Sequence, residues 1–230
     1  MIAENLNRIR EELKAACIGC GRDPEEVRLI AVSKFKPAED ILEAYAAGQR
    51  LFGENRAQEL TAKREVLPKD IEWHFIGNLQ KNKVKYLVGT AALIHSVNSE
   101  GLLREIERIA AAREVTQEIL LELNVAGEAS KQGAPLSEAE ELVRFAAALP
   151  HIKLRGLMTV APLSEDPEDS RPVFRMLREK LAQLRPLARD PESFDLLSMG
   201  MSGDYPVAAE EGASFVRVGT AVFGVRIRPL

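Results

Sequence analysis

The sequence has almost no cysteine, little net charge and no long apolar run, and each shortage removes a class of protein. Its two cysteines stand in one C-x-x-C, Cys17-Ile18-Gly19-Cys20. A redox pair wants its first thiol at a helix N-terminus, where the dipole favours thiolate. Here the pair closes an amphipathic pattern through Ile2, Leu6, Ile9, Leu13 and Ala16, with Gly19 and Gly21 as stop signals. The dipole at that end disfavours thiolate. A zinc site would need two further ligands, and there is neither a second C-x-x-C nor a close histidine pair. The cysteines are expected to be inert. A formal net charge of −4 gives no electrostatic reason to expect nucleic acid or an acidic membrane as partner. No stretch approaches the roughly 20 apolar residues that span a bilayer. Residues 1–10 carry Glu4, Arg8 and Arg10 in place of an apolar signal core, so the cytoplasm is the expected compartment. No exposed apolar heptad argues for an obligate oligomer, and a monomer is expected. No Gly/Ser/Pro-rich linker or charge block divides the chain, so residues 1–230 read as a single domain.

What is present is a rhythm. Hydrophobic residues at 46% and charged residues at 29% describe a chain able to bury a substantial core. Short apolar runs occur at 27–32, 50–53, 72–76, 93–97, 118–125, 154–158, 194–197 and 215–218. Helical patterns lie between them at 38–47, 56–66, 99–113, 137–149 and 168–187. Ser99 and Ser137 read as helix N-caps, and Gly48 follows a helix end. The stretch 162–172, rich in Ser, Asp and Glu, reads as a loop before a helix. Eight strands alternating with helices predict an α/β fold, a single (β/α)8 TIM barrel with an extra N-terminal helix.

In such a barrel, ligand-binding side chains come from the C-terminal ends of the strands and the loops beyond them. Lys34 directly follows Leu29-Ile30-Ala31-Val32-Ser33. A lysine pointing into a barrel mouth loses hydration, which favours the free amine and Schiff-base formation. Lys36 would add like-charge repulsion; the plainer reading is two solvated loop lysines. Ser198-Met199-Gly200-Met201-Ser202-Gly203 follows the seventh strand and Gly219-Thr220 the eighth. Hydroxyls and glycines there can turn backbone N–H groups toward an anion, at the recurrent phosphate cradle of this fold. The alternative is two ordinary Gly-containing turns. Arg217, inside Phe215-Val216-Arg217-Val218, needs an acceptor, since a buried unpaired guanidinium is very costly. Glu54, Asp195 or Glu210 would satisfy it structurally. Asn55 serves either a ligand or the N-cap of the helix starting at residue 56. His74 reads as a rim residue or a hydrogen-bonded core histidine. Asn124 and Met158 read as pocket wall, and Lys81, Lys83 and Lys85 as a solvated helix face.

At these residues the sequence resembles the pyridoxal phosphate homeostasis family, also called the proline-synthetase-co-transcribed family, whose barrel is similar to the N-terminal domain of bacterial alanine racemases. The resemblance covers nearly the whole chain. Its motifs are Ala31-Val32-Ser33-Lys34-x-Lys36-Pro37, Phe52-Gly53-Glu54-Asn55, Trp73-His74-Phe75-Ile76-Gly77-x-Leu79-Gln80-x-Asn82-Lys83, Arg155-Gly156-Leu157-Met158, Leu197-Ser198-Met199-Gly200-Met201-Ser202 and Val216-Arg217-Val218-Gly219-Thr220-Ala221-x-Phe223-Gly224. It implies that Lys34 holds pyridoxal 5′-phosphate (PLP) as a Schiff base and that Arg217 faces the pyridine nitrogen. Ser198, Gly200, Met201, Ser202, Gly219 and Thr220 would hold the phosphate, with Asn55, His74 and Met158 lining the pocket. Phe35 stands where the family commonly has threonine. Lys131, after Glu128-Ala129-Ser130, matches a recurring family lysine and is a candidate secondary cofactor contact.

The same residues argue for carriage over catalysis. A racemase needs an acid/base group on each face of the substrate. Racemases of this barrel type take the second from a tyrosine in a separate β-rich domain, and with Leu230 closely following the eighth strand no such domain is expected. Of Tyr45, Tyr86 and Tyr205, only Tyr205 follows a rim loop. Arg217 at the ring nitrogen would weaken the ring as an electron sink. The expectation is a non-catalytic PLP carrier in vitamin B6 homeostasis, with PLP-dependent apo-enzymes as recipients. The alternatives are a weak amino-acid racemase using Tyr205 or His74, and a phosphate-ligand-binding barrel without PLP.

Overall fold

The computed structural model describes residues 1–127 and 132–224; Lys131 lies outside the described residues. The apolar runs form eight strands: β1 (Arg28–Val32), β2 (Leu51–Glu54), β3 (Glu72–Phe75), β4 (Leu93–Val97), β5 (Gln117–Asn124), β6 (Ile152–Met158), β7 (Leu196–Ser198) and β8 (Phe215–Val218). Each pairs in parallel with its neighbours. β8 returns to β1, from Arg28↔Phe215 to Ala31↔Val218, so the sheet closes into a barrel. A two-residue strand, Ala134–Pro135, is paired to the end of β5.

Closure explains the apolar composition of the strands, which are buried on both faces. One face packs inside the barrel, where Ile30, Leu93, Leu120, Met158, Leu196 and Phe215 form a compact cluster. The other packs against the helices through a much larger apolar shell. Two irregularities interrupt the ladder: between β4 and β5 the register shifts from Ile94↔Ile119 to Val97↔Leu121, and a second lies between β5 and β6. Ile119 pairs with Leu154 but Leu120 pairs with Gly156, which leaves Arg155 as the extra residue of β6. Gly156 has φ 153°, and a Cβ there would lie 1.9 Å from the Leu196 carbonyl oxygen. Only glycine fits.

The helices follow the predicted pattern with two differences. α1 (Ile2–Gly19) buries Ile2, Leu6, Ile9, Leu13 and Cys17, and packs against α2 (Ala38–Ala46), α8 (Tyr205–Glu210) and α9 (Thr220–Phe223). Burial pushes the Cys17 thiol above its ordinary range, and Cys20 is exposed at the helix end. α3 (Ala57–Val66) follows β2, and the chain enters α5 (Glu100–Ala112) through Ser99, whose Oγ accepts from the Leu102 N–H. Gly48 takes φ 85° after α2, as a helix stop requires. Ser137 caps nothing. It falls inside a 3-10 turn, Leu136–Glu138, and α6 (Ala139–Ala147) begins beyond it with Glu138 already helical. The three lysines at 81–85 do not share one helix face. They divide between a 3-10 turn (Lys81–Lys83) and the short α4 (Val84–Leu87). The loop before α7 (Arg171–Leu184) holds a further 3-10 turn, Pro167–Ser170. No described helix is long and apolar enough to cross a membrane.

A candidate ligand cavity at the barrel mouth

At the C-terminal ends of the strands lies a cavity of about 460 Å³. Lys34, Met201, Ser202, Arg217, Gly219 and Thr220 all line it. Strand alternation carries Ile30 and Val32 to the barrel side, and Lys34, in the turn that follows β1, lines the cavity with Val32. Lys36 is turned elsewhere, its ammonium donating to the Phe223 carbonyl at 2.9 Å. A cavity of similar volume, 480 Å³, opens at the opposite end of the barrel beside Arg10, Lys14, Arg28 and Arg50. That end is remote from Lys34, and the fold's ligand rule favours the other.

The two loops after β7 and β8 are tied together. Ser202 Oγ accepts the Ala221 N–H at 3.3 Å. Asp204 accepts the Met201 N–H at 2.6 Å and the Ser170 hydroxyl at 2.9 Å, so its charge is spent on bracing the loop. Among the described residues, no backbone carbonyl takes up the N–H of Ser202 or Gly203. Gly200 lies behind the loop with φ 92°, and a Cβ there would meet Ala208 Cβ at 2.5 Å. The loop can pack this closely on α8 only with glycine at that position.

Arg217 is 4% exposed and heads a buried polar chain. Nη1 donates to Ser198 Oγ at 2.6 Å and Nη2 to the Thr159 carbonyl at 2.8 Å. Ser198 Oγ lies 2.8 Å from His95 Nδ1, and His95 Nε2 lies 2.8 Å from His74 Nδ1. An arginine only donates, so the serine accepts from it, and we assign the serine's own O–H as donor to His95 Nδ1, the neighbouring acceptor within reach. That leaves the proton of each neutral histidine on Nε2. His95 then donates to His74, whose Nε2 faces Glu72 at 3.8 Å, too long for a direct hydrogen bond. Burial holds His74 below, and His95 well below, the ordinary histidine range, so both stay neutral. Both rings also pack edge-on against Phe215, at 5.2 and 5.7 Å between centroids.

Glu122, on β5, supplies the opposing charge. Burial pushes its carboxyl up to about 6, against the attraction of Arg217. One of its oxygens is buried without a partner. Burial likewise pulls Arg217 down to about 10, against Glu122 and Asp204, which leaves it charged at neutral pH. The carboxylates anticipated as its structural partners are not its hydrogen-bond acceptors. Glu54 accepts from Ser33 and Lys63, and Glu210 from Arg171.

The remaining expected residues lie around the cavity without lining it. Ser198 is fully buried beneath Arg217, His74 is 2% exposed beyond His95, and Met158 belongs to the barrel's interior cluster. Asn55 does not cap α3, whose N-cap is Arg56; its side-chain oxygen is buried without a partner. Asn124 closes a turn by accepting the Gly127 N–H. Tyr205 donates to Glu12 of α1, between α8 and α1 and away from the mouth. His95 and Glu122 were not anticipated. The signal existed in both, a titratable residue inside an apolar strand, the same feature that singled out Arg217.

The family model described as the alanine racemase N-terminal domain matches residues 2–227. The chain is 45% identical to the pyridoxal phosphate homeostasis protein of Aquifex aeolicus, over 97% of each. Among solved structures, PipY of Synechococcus elongatus, with PLP bound, matches with a TM-score of 0.84 at 38% identity, over 97% of this chain and 100% of that one. An alanine racemase from Corynebacterium glutamicum matches at 0.73 and 16% identity, over 96% of this chain and 62% of that one, a likeness of fold alone.

Proposed function

The chain belongs to the pyridoxal phosphate homeostasis proteins, and we propose that its mouth cavity holds PLP on Lys34 and carries the cofactor without converting a substrate. One observation supports this above others. A strand-end lysine, a buried charged arginine and a loop with unclaimed N–H groups converge on one cavity of about 460 Å³. That volume suits a small aromatic ligand, and the donor set suits PLP group by group.

When bound, PLP supplies an aldehyde that condenses with an amine and a ring that withdraws electrons when its nitrogen is protonated. Lys34 would hold the aldehyde carbon covalently through its ε-amine. The N–H groups of Ser202 and Gly203, with Gly219 and Thr220 from the facing loop, would hold the phosphate, and Met201 would form the wall beside it. Gly200 lets that loop pack close to α8. Arg217 would donate to the ring nitrogen and keep a proton off it. Ser198 and, beyond His95, His74 would act through Arg217 by fixing its direction. Asn55, whose side-chain oxygen is buried without a partner, would stand behind the cavity wall. Met158 would close the floor.

Carriage fits these residues better than racemisation. The phenol of Tyr205 is committed to Glu12, and His74 lies three hydrogen bonds beneath Arg217. On this reading PLP-dependent apo-enzymes are the recipients, the cytoplasm is the compartment and the working form is a monomer. The test is α-proton exchange of L- and D-alanine in D₂O, followed by NMR with the PLP-loaded protein. Exchange no faster than with free PLP is expected. Sustained exchange that disappears in Lys34→Ala would overturn carriage.

A further inference from the structure

The chain leaves β1 through a turn that its residues do not favour. The Lys36 N–H donates to the Ser33 carbonyl at 2.9 Å, which closes a four-residue turn with Lys34 and Phe35 at its centre. Phe35 has φ 64°. A positive φ at the third position of such a turn is glycine's place, and a residue with a Cβ is disfavoured there on the order of ten-fold. Phe35 and Glu114 are the two non-glycine residues with positive φ among the described residues. Glu114 lies just past the end of α5, whereas Phe35 lies beside the candidate cofactor lysine.

A charged cluster on α3 grips this turn from behind. The Lys63 ammonium, 11% exposed, donates to the Ser33 carbonyl at 2.8 Å and to Glu54 Oε1 and Glu59 Oε1, each at 2.7 Å. Glu59 Oε1 also accepts the Phe35 N–H at 2.8 Å. Ser33 Oγ donates to Glu54 Oε1 at 2.6 Å. The Arg56 guanidinium lies 4.7 Å from the centre of the Phe35 ring. Arg56, Glu59 and Lys63 are spaced by three and four residues, which puts them on one face of α3, from its N-cap to its last turn. Lys34 is therefore bracketed. The carbonyl before it and the N–H after it are held by a single ammonium–carboxylate pair, and neither Lys63 nor Glu59 lines the cavity.

Burying an ammonium with two carboxylates is a poor way to gain stability, because desolvation cancels most of the attraction. Its effect here is geometric. We propose that Lys63 and Glu59 are positioning residues that clamp the Ser33–Phe35 turn and so aim the Lys34 amine into the cavity. The inference rests on the reading of Lys34 as cofactor anchor.

The test measures how fast Lys34 is captured when the cofactor-free protein is mixed with PLP, quenched with borohydride at set times and mapped by mass spectrometry. Glu59→Ala removes the acceptor for the Phe35 N–H and is expected to slow capture at Lys34 roughly ten-fold, the bias against the turn. Glu59→Gln keeps an acceptor and is expected to remain near wild type. Phe35→Gly adopts the turn without penalty, so Phe35→Gly combined with Glu59→Ala should recover most of the rate, which a merely structural role would not predict. Lys63→Met is expected to lose capture and stability together, so the decision rests on the Glu59 variants, with thermal melts confirming that they fold. Wild type captured at Lys34 with Glu59→Ala unchanged, or with no recovery in the double variant, would overturn the clamp alone. Wild type captured elsewhere would overturn the anchor reading and the clamp with it.

Discussion

Replacing Glu122 by glutamine keeps the shape of a buried side chain and removes its charge. Glu122 is 4% exposed, one of its oxygens has no partner, and burial pushes its carboxyl from an ordinary 4.5 up to about 6. A carboxyl whose folded value exceeds its unfolded value binds the proton more tightly in the folded protein. Its contribution to stability is therefore fully present below about 4.5 and is lost as the pH rises through about 6. A displacement of this size corresponds to about 2 kcal/mol, and the attraction of Arg217 is already counted in it. The assay is urea unfolding of the cofactor-free wild type and Glu122→Gln at intervals from acid to neutral pH, read as the difference between the two proteins. Groups common to both cancel in that difference. Glu122→Gln should gain about 2 kcal/mol on wild type across the window and hold a constant margin above it. A flat difference, or a wild-type advantage that grows with pH, would refute the account of Glu122 as an ionised group under desolvation stress.

Other perturbations reach other parts of the structure. Ser198→Ala leaves an Arg217 donor and His95 Nδ1 buried without partners, at a cost of about 1–3 kcal/mol. It should also weaken PLP retention, measured by dialysis of the loaded protein, if the serine fixes Arg217. Gly156→Ala drives a Cβ to 1.9 Å from the Leu196 carbonyl oxygen in a bulge with φ 153°, and should cost at least about 3 kcal/mol in chemical denaturation.

The barrel was legible because strand and helix periods differ, and eight alternations leave few other architectures. Lys34, Arg217 and the two glycine-containing loops were legible because the fold's ligand end follows directly from strand order. What stayed hidden depends on side chains meeting across the barrel. His95 joins His74 to Ser198, residues 21 and 103 positions away from it in the chain, and only the closed register brings those three together. Glu122 becomes Arg217's counter-charge by the same geometry. Lys63 falls within the helical pattern at 56–66, and nothing local shows that its ammonium turns inward to Ser33. Ser137 misled in the opposite way. A good N-cap residue was bypassed because the chain enters α6 through a 3-10 turn after Pro135.

The proposed carrier role depends on Lys34 being the residue to which PLP attaches. Loading the protein with PLP, reducing with borohydride and sequencing the modified peptide by mass spectrometry tests it directly. One pyridoxyl group is expected, on Lys34, with a folded but unmodified Lys34→Ala protein. A label on any other lysine, or none on the wild type, would contradict it.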